Sequence, residues 1–216
     1  MLGTIIQYIP SKILCETIKT QNMLPLKEAI AEKHSLAEKM TFNQRMFNGE
    51  ISKEEYVLYL SQQLAIFDSI ERFPLPHTSL NRLDSIVNDL RELYIDIKGL
   101  SEEFTLEIVP LISTNQYRKY LNTLTQEELL PHVYLNYLAL MFGGQMMKSK
   151  VPGSGKMYEF DGDVREIAGS IRAIQKDEWA DEANKALDYN INILDELQRL
   201  SESTSGEIAV DGGEIA

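Results

Sequence analysis

Hydrophobic positions recur at helical spacing along most of the chain, most regularly between residues 129 and 148. Apolar side chains fall there at i, i+3, i+4, i+7, i+8 and i+11, namely Leu130, Val133, Tyr134, Tyr137, Leu138 and Met141. The other face carries His132, Asn136, Ala139, Leu140 and Gly143, so we expect that side to be covered as well. The adjacent Gly143 and Gly144 each weaken a helix by roughly 1 kcal/mol. They indicate a helix end, a bend, or a backbone pressed close to a flat partner.

The same periodicity predicts helices along the rest of the chain, and hence an all-α fold. Ser52 and Glu55 have the spacing of a capping box and open a helix that stops before Pro74. Segment 148–156 is rich in Pro, Gly and Ser and is the clearest loop. The other predicted helices cover about 25–47, 80–99, 113–124, 161–175 and 178–201.

The composition fits a single domain. The 216 residues are 44% hydrophobic and 25% charged, which is ordinary for a globular protein and enough for a substantial core. We expect one multi-helical domain at 23–200, preceded by an N-terminal extension at 1–22 that the pattern does not assign. Residues 201–216 are polar, acidic and Gly-rich, which predicts a flexible tail.

Charge and cysteine content narrow the class of partner. A net charge of −12 and a pI near 4.8 argue against nucleic acid and anionic membrane surfaces, because both attract positive charge. A single cysteine, Cys15, excludes an internal disulfide and fits a reducing cytoplasm. No apolar run reaches the roughly 20 residues that span a bilayer, and the N-terminus lacks the signal-peptide pattern. We therefore expect a soluble, cytoplasmic protein without a membrane span.

The first predicted helix, from Pro25 to about Phe47, places one histidine in its apolar stripe. This is His34, with Lys27 two turns earlier and Glu38 one turn later on the same face. A single histidine on an apolar face is either a satisfied core side chain or a ligand. The helix alone does not distinguish the two.

Three motifs together resemble the biliverdin-forming haem oxygenases. The distal-helix pattern H-x-Y-x-x-Y-L-x-x-x-x-G-G-Q is present as His132, Tyr134, Tyr137, Leu138, Gly143, Gly144 and Gln145. The proximal pattern appears as L-K-E-A at 26–29 followed by His34 and Glu38. The pattern EA-x-x-A-x-x-x-N-I-x-x-x-x-E-L-Q runs from Glu182 to Gln198. All three occur in family order and at family spacing, and they span most of residues 23–200.

The resemblance implies a haem-oxygenase-like bundle in which haem, as substrate and cofactor, lies between a proximal and a distal helix. His34 would be the iron ligand, with its other ring nitrogen oriented by Glu38. Lys27 and Arg172 would meet the propionates, and Arg172 matches better than Arg165. The other haem contacts implied are Tyr134, Ala139, Gly143, Gly144 and Asn190, of which the small ones would let the distal backbone approach the porphyrin.

The distal motif departs from the family pattern Y-T-R-Y-L-G-D-L-S-G-G-Q. Arg, Gly, Asp and Ser of that pattern are replaced by Asn136, Ala139, Leu140 and Phe142. In the family the carboxylate anchors a water network that delivers a proton. Leucine cannot hold a water, whereas Asn136, one turn earlier, has donors and acceptors that order water in the same space. Asn136, Leu140 and Gly143 are therefore the candidate catalytic positions.

The resemblance implies an active haem oxygenase, which forms biliverdin, carbon monoxide and iron with electrons from a partner such as ferredoxin or a flavoprotein reductase. A basic patch for an acidic donor is expected at Lys148, Lys150, Lys156 and Arg172. Leu140 motivates a second hypothesis, a haem-binding relative with lost or altered oxygenation that serves as carrier, sensor or peroxidase-like protein. A third, a non-haem metal protein of similar architecture, needs ligand clusters on facing helices. The three histidines form no H-x-x-H or E-x-x-H pair, and we interpret His132 as structural.

Overall fold

The structure, a computed structural model, describes residues 24–99 and 109–208, with side chains described as far as residue 203. These ranges are helical and contain no strand, which confirms the predicted all-α class. The predicted extension at 1–22 and the tail residues 209–216 lie outside the described residues. The α-helices are α1 (Leu26–Ala29), α2 (Ala31–Lys39), α3 (Thr41–Asn48), α4 (Lys53–Ile70), α5 (Leu83–Lys98), α6 (Ile112–Leu121), α7 (Gln126–Met147), α8 (Val164–Arg172) and α9 (Ala180–Ile208).

The helix predicted for 25–47 is three helices, so the single-helix prediction was wrong. The backbone of Met40 is extended, with φ −57° and ψ 134°, and separates α2 from α3. Side-chain amides stabilise this break: Asn43 Nδ2 donates to the Ala37 carbonyl (3.3 Å), and Gln44 Nε2 donates to the Glu38 carbonyl (2.6 Å). Carbonyls at a helix end lack intrahelical partners, and these two bonds satisfy them.

Two capping boxes fix the starts of the long central helices. At α4 the predicted one is confirmed, since Glu55 N–H donates to Ser52 Oγ (3.2 Å) and Ser52 N–H donates to Glu55 Oε2 (2.8 Å). Thr125 and Glu128 form an equivalent box at α7, which starts a few residues earlier than predicted. Helix α7 then continues through both glycines to Met147, so the glycine pair does not end it.

Helix α9 holds the bundle together. It packs against α2, α3, α6 and α7, while α4 and α5 pack against each other on another side. Its inward positions Ala183, Ala186, Leu187, Ile193 and Leu197 are buried, as amphipathic spacing requires. The helix continues to Ile208 and is therefore longer than the 178–201 segment that we predicted.

The predicted loop at 148–156 is confirmed and is fixed by one buried carboxylate. Asp89 of α5 accepts hydrogen bonds from the backbone N–H groups of Lys156 and Met157, both at 2.8 Å. Gly153 has φ 78°, a left-handed conformation that favours glycine. As a result the short 3₁₀ turn Lys156–Tyr158 packs against the C-terminal half of α7.

Candidate functional site

Helix α9 brings the predicted proximal and distal helices to the same height in the bundle. On one side Lys33 Nζ of α2 pairs with Asp188 Oδ2 at 2.5 Å. On the other side Asn190 Nδ2 donates to Asn136 Oδ1 of α7 at 3.4 Å. Asp188 and Asn190 are two positions apart along α9, so Lys33, the neighbour of His34, and Asn136 of α7 contact α9 at about the same level. We use the name slot for the region beside α9 at this level, between α2 and α7.

His34 borders the slot from α2. It lies one turn after the buried Ile30 and one turn before the half-buried Ala37, yet 46% of its side chain is exposed. No side chain of α2 is buried, and Leu36 is 51% exposed. His34 Nδ1 lies 3.5 Å from Glu38 Oε1, just beyond ordinary hydrogen-bond distance. Among the described residues Nε2 has no partner, so it is available to a ligand.

The facing surface of α7 is open where its residues are small. Ala139 is exposed, and a Cβ added to Gly143 would meet no atom within 4 Å. Phe142 and Met146, on neighbouring positions, are 44% and 66% exposed. Leu140, in contrast, is buried and belongs to the hydrophobic core. This part of α7 therefore offers a shallow apolar surface that fits the face of a flat aromatic ligand.

Gly144 is a glycine for a different reason from Gly143. A Cβ at Gly144 would lie 2.4 Å from Cδ1 of Tyr158, a distance that no packed side chain tolerates. The tyrosine ring is buried, and its hydroxyl lies 3.9 Å from the sulfur of Met147. The close approach at Gly144 is thus made by the protein itself. A haem contact at Gly144 stays a prediction.

The two glycines give a matched pair of variants. We expect Gly144→Ala to lower the free energy of unfolding by about 1–3 kcal/mol, because Tyr158 must move in a filled core. Gly143→Ala should leave it unchanged or raise it by up to about 1 kcal/mol, since alanine favours helix and the space is open. Denaturant unfolding of the ligand-free protein measures both. Equal stability of the two variants would contradict this packing.

Asn136 faces polar partners on three sides. Its Nδ2 donates to the His132 carbonyl (2.8 Å) and to the hydroxyl of Tyr117 from α6 (3.2 Å). Its Oδ1 accepts from Asn190, which is half-buried on α9. The predicted residues Asn136 and Asn190 are therefore in contact, and Tyr117 is a third member that the sequence analysis missed. Because Tyr117 and Asn136 come from different helices, helical spacing could not pair them.

His132 is fully buried, in agreement with its interpretation as structural. Its Nδ1 lies 2.8 Å from the Tyr117 hydroxyl, and its Nε2 lies 2.9 Å from Glu182 Oε1 of α9. Burial lowers the pKa of His132, and the hydrogen bond to Glu182 only partly opposes this. Tyr120 and Lys185 also donate to Glu182 at the surface. The sequence analysis placed Glu182 at the start of a family motif but did not predict its hydrogen-bond partners.

Arg172 and Tyr134 each pack against an aromatic ring. The Arg172 guanidinium lies over the ring of Phe142, 4.8 Å from its centroid. Burial raises the pKa of Tyr134, and the positive charge of Arg172 opposes that rise. The Tyr134 ring also packs edge-on against Trp179 at 6.3 Å. Arg172 and Phe142 are therefore in contact beside the exposed face of α7, and Tyr134 packs against Trp179.

The remaining predicted residues lie further out. Lys27 is exposed on α1, whose position is fixed by a 2.7 Å hydrogen bond from Leu26 N–H to Asp177. Within the predicted basic patch, Lys148 pairs with Glu159 at 2.5 Å, while Lys150 and Lys156 are exposed. The patch is therefore less basic than its sequence suggests.

Two other features are missing from the described part of the chain. Residues 24–99 and 109–208 contain no group of three or more His, Cys, Asp or Glu side chains that could hold a metal ion. The cluster that the non-haem hypothesis requires is therefore missing from these ranges. Over the same ranges, no helix combines the length and apolarity needed to cross a membrane.

Comparisons with known proteins agree with this geometry. The family profile described as heme oxygenase matches residues 22–196. Rat heme oxygenase 2 is 23% identical, covering 87% of this chain and 69% of its own length. The heme oxygenase of Guillardia theta is 27% identical, covering 64% of this chain and 65% of its own. The chain belongs to the haem oxygenase family.

Solved structures show the same fold. The crystal structure of heme oxygenase-1 from the cyanobacterium Synechocystis in complex with heme has a TM-score of 0.72 and 22% identity, over 86% of this chain and 96% of that one. Heme oxygenase-2 from Synechocystis, in complex with heme and NO, has a TM-score of 0.69 and 23% identity, over 86% and 88%. The predicted haem-oxygenase-like bundle is thereby confirmed.

Proposed function

We propose that this chain is an active haem oxygenase, which opens haem to biliverdin, carbon monoxide and iron with O2 and electrons from a redox partner. The observation that carries the proposal is the slot beside α9. The Nε2 of His34 has no partner among the described residues, the surface at Ala139 and Gly143 is open, and the two helices that carry these residues both pack against α9. When bound, haem supplies the iron centre at which O2 is reduced and the ring that is oxidised.

On the proximal side His34 holds the iron through Nε2. Glu38 accepts a hydrogen bond from Nδ1–H after a small movement from the present 3.5 Å. That bond keeps the ring in one orientation and raises the basicity of the ligating nitrogen.

On the distal side Asn136 takes over part of the role of the family carboxylate. Leu140 is only 7% exposed and packs in the core, so it excludes water from the position where the family has Asp. Asn136 lies one turn earlier and is tied to Asn190, and their amide oxygens are acceptors that can order water in the slot. Gly143 and Ala139 let the backbone come close to the ring.

Arg172 and Lys27 meet the propionates in this proposal. We expect Arg172→Ala to weaken haem binding about tenfold, because a charge-assisted contact contributes roughly 1.5 kcal/mol or more. Arg165→Ala is the comparison, since Arg165 is the weaker candidate and is exposed two turns earlier on the same helix α8; Arg199→Ala, on α9, is the control. Spectrophotometric titration of each variant with haem measures the effect. Equal affinities for Arg172→Ala and Arg199→Ala would remove Arg172 from the site.

The electron donor is proposed to be ferredoxin or a flavoprotein reductase. Arg172 and the exposed Lys150 and Lys156 offer positive charge near the slot, whereas Lys148 is already paired with Glu159. An acidic donor docking there would be steered by charge, and turnover with it should fall as salt rises.

The buried Leu140 also favours a second candidate function, a haem-binding relative whose oxygenation is lost or altered. One experiment separates the two. The purified haem complex is mixed with reduced ferredoxin or ascorbate under O2, and its absorption spectrum is followed. Loss of the Soret band with growth of biliverdin absorption supports the oxygenase. A Soret band that persists through many equivalents of reductant supports the second candidate.

A further inference from the structure

A continuous chain of hydrogen-bonded side chains runs from the slot to the surface of α9. Its members, in order, are Asn190, Asn136, Tyr117, His132 and Glu182. The successive donor–acceptor distances are 3.4, 3.2, 2.8 and 2.9 Å. Backbone carbonyls and the Glu182 carboxylate can only accept hydrogen bonds, and they determine which atom donates at each step of the chain.

The two amides at the slot are oriented by backbone carbonyls. Asn136 Nδ2 lies 2.8 Å from the His132 carbonyl, and Asn190 Nδ2 lies 3.0 Å from the Ala186 carbonyl. Because a carbonyl only accepts, each of these contacts must be made by the amide nitrogen. The second hydrogen of Asn136 goes to Tyr117, and that of Asn190 goes to Asn136. Both NH2 groups are then used up, and only amide oxygens remain to meet water or ligand.

The orientation of Asn136 and the acceptor at Glu182 together leave one arrangement of hydrogens in the rest of the chain. The Tyr117 oxygen accepts from Asn136, so the Tyr117 hydrogen is donated to His132 Nδ1. His132 must therefore carry its proton on Nε2, which donates to Glu182. Burial alone would raise the pKa of Glu182, but hydrogen bonds from Tyr120, His132 and Lys185 outweigh it and lower the pKa. Glu182 is thus the carboxylate towards which every donor in the chain points.

We propose that Glu182 and His132 are positioning residues that fix the hydrogen-bonding polarity of the distal side of the slot. By holding Nε2–H, Glu182 keeps His132 Nδ1 as the acceptor of the Tyr117 hydrogen and leaves the Tyr117 oxygen free to hold Asn136. Asn136 and Asn190 then present acceptors only. The carboxylate that Leu140 replaces would likewise only accept hydrogen bonds, but the two amides carry no charge. The inference rests on the proposed function for its catalytic meaning.

The same direction of hydrogen bonding excludes proton delivery to the slot as a role of these linked side chains. A proton that arrived on Glu182 would find His132 Nε2 already protonated, so it could not move inward along these bonds. Amide groups also carry no net charge across the Asn136 step. The chain of side chains therefore orients the distal groups and does not supply protons to the slot.

The first arm of the test uses the ligand-free protein. Long-range ¹H–¹⁵N NMR spectra distinguish the two tautomers of a neutral histidine. We expect His132 as the Nε2–H tautomer in the wild-type protein. In Glu182→Leu the Nε2 proton has lost its acceptor, so we expect the Nδ1–H tautomer to become populated, at the cost of the hydrogen bond that the Tyr117 hydroxyl donates to Nδ1. An unchanged tautomer in this variant would overturn the role of Glu182. Asp181→Leu, a change of an exposed acid in the same turn, should leave the wild-type tautomer. A wild-type Nδ1–H tautomer would overturn the inference.

The second arm uses the haem complex. We expect kcat of Glu182→Leu to fall about ten- to hundredfold, the usual effect of losing a residue that orients a functional group. Haem affinity should match that of Asp181→Leu, because Glu182 does not reach the slot. An unchanged kcat, or an equal loss in both variants, would overturn the positioning role. If Glu182→Leu does not fold, Tyr117→Phe interrupts the same chain and is expected to lower kcat in the same way.

These two arms separate failure of this inference from failure of the proposed function. The tautomer is measured without haem, so it tests the polarity of the chain whether or not the protein turns over. A wild-type protein that binds haem without forming biliverdin would contradict the proposed function, and with it the catalytic meaning of the chain.

Discussion

Replacing His34 with alanine is expected to abolish the six-coordinate, low-spin spectrum of the haem complex. His34 is a histidine with a free Nε2, and α2 contains no second histidine that could replace it as a ligand. Turnover should fall by more than about a hundredfold, because losing an iron ligand costs at least as much as losing a residue that orients one. Absorption spectra of the ferric complex and biliverdin assays measure the two effects.

Two controls make the His34 result specific. His77→Ala removes a histidine that caps the 3₁₀ turn Thr78–Leu80 through a 3.1 Å bond from Ser79 N–H, and it should leave the spectrum unchanged. Added imidazole should restore the low-spin spectrum of His34→Ala by occupying the vacated space. An unaltered spectrum in His34→Ala would mean that another group ligates the iron.

Asn136→Leu is expected to lower turnover about ten- to hundredfold while haem affinity changes little. The substitution removes the acceptor that the distal side offers and keeps the volume. It also removes the side-chain donor from the Tyr117 oxygen and from the His132 carbonyl, so stability should fall by about 1–3 kcal/mol. Single-turnover biliverdin formation, set beside haem titration of the same folded preparation, separates chemistry from binding.

Leu140→Asp provides the comparison for Asn136. It restores a carboxylate one turn further along α7, and we expect it to change the rate or yield of biliverdin. In a double-mutant cycle with Asn136→Leu, the carboxylate should recover part of the lost rate, because we expect both side chains to order the same distal water. If Asn136→Leu keeps full turnover in both backgrounds, the proton network is built from other residues.

Local pattern was sufficient for most helices because capping and amphipathic spacing act within one segment. The capping box of Ser52 and Glu55 is an example, and it starts α4 as predicted. The break at Met40 was missed, because its stability comes from Asn43 and Gln44 amides that bond carbonyls six residues earlier. No periodicity rule contains such a contact.

The candidate site likewise has a part that the sequence predicted and a part that it did not. Family motifs supplied His34, Asn136 and Asn190; the structure brings Asn136 and Asn190 into contact, and it places His34 on α2, which packs against the same α9. The motifs treat Gly143 and Gly144 alike, but only the structure shows that Gly144 packs on Tyr158 while Gly143 is open. Glu182 and Tyr117 acquire their roles through contacts between α6, α7 and α9, which no spacing along one helix predicts.

The most direct test of the account is a crystal structure of the haem complex. It should show His34 Nε2 bonded to the iron and the porphyrin lying against Ala139 and Gly143, with the Asn136 and Asn190 oxygens turned towards its distal side. Haem bound at another place, or α2 and α7 packed together with no space for the ring, would contradict the account.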